Sequence, residues 1–216
     1  MAAITVFGAV GSGSVPVEAT LTLLKIPYEV IEAVTWQDEA ARKRVEAVNP
    51  MRQVPALVLP SGEIMTESAA ILIYLADAHP RAWLAPGIGH PNRASFLRWM
   101  TYVSAEIYAL FWIKGDAMRI AASKDDAPRV IDRVHDRIAH CWSQMDRQIN
   151  PGRYILGDDL SVLDLYVTVV SRFGPWRTRF YKSAPKMADI VRRVDADPRL
   201  QDFWAQRFPF YEGWER

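Results

Sequence analysis

Two short stretches of this chain carry residue types that could hold a ligand by backbone and side chain together. Gln53-Val54-Pro55 lies at the mouth of an apolar run, and Glu67-Ser68 opens a run of helix formers at 69–75. A proline at that point of a strand removes a ladder donor, and a cis Val54-Pro55 bond would leave the Val54 carbonyl and amide facing outward. An extended, peptide-like ligand could pair with that backbone as a further strand would. Glu67-Ser68 brings a carboxylate, a hydroxyl and free amides to the positive end of a helix. Such a site suits a ligand carrying both an amine and a carboxylate. Taken singly, Pro55 fits an edge proline and Ser68 a helix cap; at this spacing the pair points to one ligand.

The elements around these residues follow from local patterns. Residues 54–59 and 63–66 read as two strands joined by the tight turn Pro60-Ser61-Gly62, with a helix directly after. Upstream, Ile4-Thr5-Val6-Phe7 is a β-branched strand ended by a Gly-Ser-rich stretch at 8–14. Pro16 suits the first turn of a helix continuing over 17–25, and Ser14 is placed to cap it. A second strand is predicted over 28–31, then an amphipathic helix over 37–48 with Ala41, Val45 and Val48 on one face. The order βαβ, helix, ββα predicts an α/β, thioredoxin-like domain over residues 1–80, with ligand sites at strand ends and helix N-termini. The first loop does not fit G-x-G-x-x-G, which argues against a dinucleotide site.

Residues 81–91 have linker composition, and 92–216 read as an all-α domain. One long helix is predicted from Asn92 toward Ile120, carrying Trp99, Tyr102, Glu106, Tyr108 and Trp112. A second spans 127–149, with Cys141 on its apolar stripe. Ser161 and Asp164 form a capping-box variant, with Leu160 and Leu165 at the staple positions. Shorter helices at 184–194 and 198–206 precede an aromatic tail of Phe208, Phe210, Tyr211 and Trp214.

Gln53-Val54-Pro55 followed by Glu67-Ser68 resembles the glutathione-binding signature of the soluble glutathione transferases. The thioredoxin-like start and helical continuation extend that resemblance over nearly the whole chain. It implies the glutathione transferase fold and glutathione as co-substrate, with no metal. By resemblance, Val54 and a cis Pro55 hold the cysteinyl part of glutathione, while Glu67 and Ser68 hold its γ-glutamyl end. Arg52, beside Gln53, lies where the family turns a side chain toward the glycyl carboxylate. The family places a thiol-activating Ser, Tyr or Cys just after the first strand. Here that position falls at residues 11–13, nearest Ser12, and Ser14 is the other hydroxyl available. Tyr102, Tyr108 and Trp112 would then line the site of a small hydrophobic electrophile, with Phe111 in the core. The same resemblance implies a homodimer, assembled near Ala70, Tyr74, Arg93 and Arg98. Two other readings fit these residues. One is a glutathione-dependent isomerase of the zeta type, whose Ser-Ser-Cys stretch is replaced here by Gly11-Ser12-Gly13. The other is a binding or scaffold protein that keeps the fold without turnover.

Composition narrows the remaining classes. The chain has 216 residues, half of them hydrophobic, enough for a sizeable core in one or two domains. A net charge of +1 gives no reason to expect nucleic acid or an anionic membrane as partner. Its distribution is uneven: 5 basic against 9 acidic residues up to residue 80, and 21 against 16 after it. Cys141 is the single cysteine, so there is no intramolecular disulfide and no Cys-x-x-Cys motif. The four histidines are not at metal-ligand spacing. With no signal-like start and no membrane-length apolar run, a cytoplasmic protein is expected.

Overall fold

Alternation along the first strand sets the layers. In the computed structural model, which describes residues 4–173 and 177–210, β1 (Ile4–Gly8) turns Ile4 and Val6 into the main core. Phe7 faces the opposite side and packs with Ala33, Ala41 and Val45. α1 (Val15–Leu23) crosses one face of the sheet and returns the chain in β2 (Tyr28–Glu32), parallel to β1 with Ile4 opposite Tyr28. α2 (Glu39–Glu46) covers the other face; the Asp38 side chain caps it by accepting from the Ala41 amide at 2.5 Å.

The predicted hairpin is present, shorter than its apolar runs. β3 (Ala56–Val58) and β4 (Ile64–Thr66) pair antiparallel, with Leu57 opposite Met65. The turn closes as the Gly62 amide donates to the Leu59 carbonyl at 2.8 Å. β3 also pairs antiparallel with β1, giving the order β2-β1-β3-β4. α3 (Ser68–Ala78) then runs back across the face that α1 covers, burying Ile71, Leu72 and Leu75.

The chain continues as helices. The long helix predicted toward Ile120 is instead three consecutive pieces: α4 (Arg93–Tyr102), a π-helical segment (Val103–Tyr108) and α5 (Ala109–Gly115). The wider π turn changes the angular step per residue, so side chains on either side of it leave the axis in directions that a uniform helix would not give. Asn92 precedes α4 without capping it; its side-chain amide donates to the Leu156 carbonyl at 2.7 Å. α6 (Ala127–Gln148) buries Val134, Trp142, Met145 and the predicted core cysteine, Cys141.

α7 (Val162–Val170) is buried along its whole length and packs on α1, α3, α4 and α9. Its start is the predicted capping box. The Asp164 carboxylate accepts from the Ser161 amide at 2.8 Å and hydroxyl at 2.6 Å, and from the Ile155 amide at 2.9 Å. α8 (Arg177–Ser183), α9 (Pro185–Asp195) and α10 (Gln201–Arg207) complete the helices. α8 was not foreseen; it is short, and its sequence Arg-Thr-Arg-Phe-Tyr-Lys-Ser has no apolar stripe. Of the predicted aromatic tail, Phe208 is buried and Phe210 exposed; Tyr211 and Trp214 lie outside the described residues. Among the described residues no helix is long and apolar enough to cross a membrane.

Candidate active-site cleft

The loop after β1 is folded on its own hydroxyls. Ser14 sits at the N-terminal boundary of α1 but, against expectation, does not cap it. Its oxygen takes the Ala9 amide at 3.1 Å, and its proton goes to the Glu18 carboxylate at 2.6 Å. Glu18 is fully buried, and its charge is met by Arg207 from α10. Ser12 lies 2.9 Å from Ser14 Oγ and takes the Ser14 amide at 3.1 Å. Gly8 is required here, since a Cβ would land 2.5 Å from Ser14 Oγ and 3.0 Å from Glu18. Gly11 has φ 69° and donates its amide to the Arg207 carbonyl at 2.9 Å.

This loop forms one wall of a cleft of about 990 Å³. The cleft brings together Ser12, Arg52, Gln53, Val54, Pro55, Glu67, Ser68, Tyr108 and Trp112, all anticipated from sequence. The Val54–Pro55 peptide is cis, and Gln53 is held from behind by the Asn49 side-chain amide, 2.8 Å from its carbonyl. Among the described residues no hydrogen bond engages the Val54 backbone, so its amide and carbonyl are open to an extended ligand. Glu67 precedes α3 with φ 66° and ψ 105°, a conformation costing a non-glycine residue about 1–3 kcal/mol. Ser68 is the first residue of α3 rather than its cap, and its hydroxyl donates to the Gly13 carbonyl at 2.9 Å. Arg52 also has positive φ and pairs with Glu39, while its Nε is buried without a hydrogen-bond partner, 3.9 Å from the Glu46 carboxylate.

The facing wall is aromatic. Tyr108 packs on Phe173 at 5.2 Å and Tyr166 at 6.2 Å between ring centroids. Phe111 packs against the main core, as expected, and also lines the cleft, meeting Phe173 edge-on at 5.6 Å. Trp112 is half exposed, with the Arg119 guanidinium 4.6 Å above its ring. Lys114 turns away to the Phe173 carbonyl at 3.1 Å. Tyr102 is a correction: it does not line the cleft but donates to the Cys141 carbonyl on α6 at 3.1 Å. Every step from Tyr102 to Tyr108 runs through the π-helical segment, and the two side chains leave it toward different neighbours, Tyr102 toward α6 and Tyr108 toward the cleft.

Tyr108 reaches across to Gly13. Any Cβ at position 13 would land 2.1 Å from its hydroxyl and 3.1 Å from Ser68 Oγ, so only glycine fits. Burial pushes the Tyr108 phenol above its ordinary pKa, the Glu67 carboxylate adds to that, and a backbone hydrogen bond from Gly13 opposes it.

Sequence reasoning missed Glu18, Arg207, Trp36, Arg42, Arg119 and Phe173. Glu18 left a trace: it is the lone charge in the apolar run Val15–Leu23, four residues after Ser14. The others reach the cleft or its loop from separate elements and carry no local signal. Among the described residues no group of His, Cys, Asp and Glu could hold a metal ion.

Two family models match the chain, a glutathione S-transferase N-terminal domain over residues 12–78 and a glutathione S-transferase C-terminal domain over residues 117–207. A GST-like protein of Escherichia coli strain K12, YncG, is 32% identical over 203 residues, covering 92% of this chain and 96% of that one. A probable maleylacetoacetate isomerase of Caenorhabditis elegans is 36% identical over 166 residues, covering 70% and 69%. A glutathione transferase homologue from Sulfitobacter, solved with bound glutathione, superposes with a TM-score of 0.79 at 26% identity, covering 94% of this chain and 97% of that one. With its mixed sheet, its helical continuation and both family models matched, the chain belongs to the glutathione S-transferase family.

Proposed function

We propose that this protein adds the thiolate of glutathione to a small hydrophobic electrophile. The observation that carries this reading is the convergence, in one cleft, of an open Val54 backbone, the Glu67–Ser68 helix start and an aromatic wall. The Val54 amide and carbonyl would pair with the cysteinyl residue of the tripeptide. Glu67 and the first amides of α3 would take the γ-glutamyl ammonium and carboxylate. Arg52 and Gln53 would face the glycyl end. The thiol then lies against the Ser12–Gly13 loop, and Tyr108, Phe111, Trp112 and Phe173 surround the carbon that it attacks. Bringing both reactants into this cleft supplies proximity, and lowering the thiol's pKa supplies the nucleophile.

The Sulfitobacter homologue, solved with bound glutathione, supports glutathione as the ligand. A second reading, glutathione-dependent cis–trans isomerisation, draws on the Caenorhabditis relative, although the loop here has no cysteine. The protein acts as a cytoplasmic homodimer in this proposal, with Ala70 and Tyr74 exposed on α3 and Arg98 on α4 at the shared face.

Calorimetric titration with glutathione, followed by glutathione-dependent turnover of aryl halides, epoxides, enones, peroxides and maleylacetoacetate, tests the proposal. Saturable binding with turnover of at least one electrophile is expected. Binding without turnover of any substrate makes it a binding protein, and absence of binding removes the reading altogether.

A further inference from the structure

A thiolate is stabilised by a group with a proton to offer it. Ser12 has none to spare. Glu18, salt-bridged to Arg207, only accepts; it takes the Ser14 proton at 2.6 Å, while the Ala9 amide approaches the Ser14 oxygen at 3.1 Å. The 2.9 Å contact between Ser12 and Ser14 is then a hydrogen bond only if Ser12 is the donor. One lone pair of Ser12 takes the Ser14 amide at 3.1 Å, and the other is left for the cleft. The Ser68 proton is committed as well, to the Gly13 carbonyl at 2.9 Å.

Tyr108 differs from both. The π-helical segment and the packing of its ring on Tyr166 and Phe173 bring its hydroxyl over Gly13. Its oxygen meets the Gly13 backbone, and among the described residues nothing accepts its proton. Burial and the neighbouring Glu67 keep the phenol protonated through neutral pH.

We propose that Tyr108, reaching across from the helical half, is the hydrogen-bond donor facing the thiol of bound glutathione, and that Glu18, through Ser14, makes Ser12 an acceptor. This inference rests on the glutathione reading above. On ionisation the thiol proton passes to solvent, sulfur keeps the electron pair, and the Tyr108 O–H points to it without losing its own proton. Ser12, as an acceptor, favours the protonated thiol instead. Glu18 and Ser14 are positioning residues for Ser12, and the donor comes from an element 95 positions further along the chain than Gly13.

The charged groups around the thiol are Arg42, Arg52, Glu67 and Arg119 in the cleft, with Glu18 and Arg207 beneath the loop. The test leaves all of them in place. The ionisation of bound glutathione is followed by thiolate absorbance against pH in wild type, Tyr108→Phe, Ser12→Ala and Ser14→Ala. Tyr108→Phe keeps the packed ring and should raise the thiol pKa by about one. It should lower kcat at neutral pH on the order of tenfold to a hundredfold, with little change in glutathione affinity. Ser12→Ala should shift the thiol pKa downward, because it removes an acceptor. Ser14→Ala frees the Ser12 proton to turn to the cleft and should also lower it, in the Tyr108→Phe background too. A rise in thiol pKa on Ser12→Ala, or none on Tyr108→Phe with binding intact, overturns the inference alone. Failure of the wild-type protein to bind glutathione overturns the reading beneath it.

Discussion

Arg207, the last residue of α10, closes on the buried Glu18 carboxylate of α1 from 189 positions along the chain. A second arm of the same guanidinium reaches Glu32 on β2, and the Arg207 carbonyl holds the Gly11 amide. The end of the helical half therefore clamps the loop that carries Ser12.

Arg207→Met should be destabilising by about 3–5 kcal/mol, because it strands a fully buried carboxylate. Glu18→Gln on top of it should restore part of that loss, since no charge is then left unpaired. Urea unfolding of the two single variants and the double variant measures both. Losses that simply add would mean that the two groups do not act as a pair.

Glu67→Ala and Ser68→Ala should each weaken glutathione binding by roughly 1.5–3 kcal/mol while the fold persists. Ser68→Ala has a second effect, because it releases the Gly13 carbonyl and loosens the loop beneath Tyr108. Calorimetric affinities show the first effect, and a larger loss of kcat in Ser68→Ala shows the second. Unchanged affinity in both variants would move the γ-glutamyl site elsewhere.

Asp164 makes stability depend on pH in a particular direction. Burial pushes its carboxyl up to about 6, outweighing its hydrogen bonds to Ser161 and Ile155. Between its ordinary value of 3.8 and about 6 the folded state therefore binds a proton that the unfolded chain has released. Its contribution to stability is then greatest below that window and falls as pH rises through it. Asp164→Asn should abolish this slope in urea midpoints taken across the window. Asp164→Ala should cost about 1–3 kcal/mol for each amide left without a partner.

The exposed face of α3 and α4 tests assembly. Tyr74 and Leu97 are each 39% exposed, Ala70 is open, and the Arg98 guanidinium lies 4.2 Å over the Trp99 ring. Arg93 is committed to Asp77 through two hydrogen bonds of 2.7 Å. Sedimentation should show a dimer at micromolar concentration, with Tyr74→Glu shifting it toward monomer. A monomeric wild type rejects the proposed face.

Much of what short-range chemistry controls was legible in the sequence, though neither the side-chain bonding of Ser14 nor the short α8 was. Strand, turn, strand and helix were legible at residues 54–75 because turn residues, β-branched runs and helix formers act over a few positions. The Ser161–Asp164 box was legible for the same reason, and so was the pairing of Val54-Pro55 with Glu67-Ser68. Tertiary structure decided which hydroxyl faces the cleft. The direction of the Ser12 proton depends on Glu18, and Glu18 depends on Arg207, a partner no local pattern reveals. Tyr102 and Tyr108 looked equivalent on one predicted helix. The π-helical segment between them sent one to the Cys141 carbonyl and the other over Gly13. Phe173 and Arg119 joined the cleft only because α5, the turn after it and the end of α7 converge there, and convergence of distant elements is set by packing of the core as a whole.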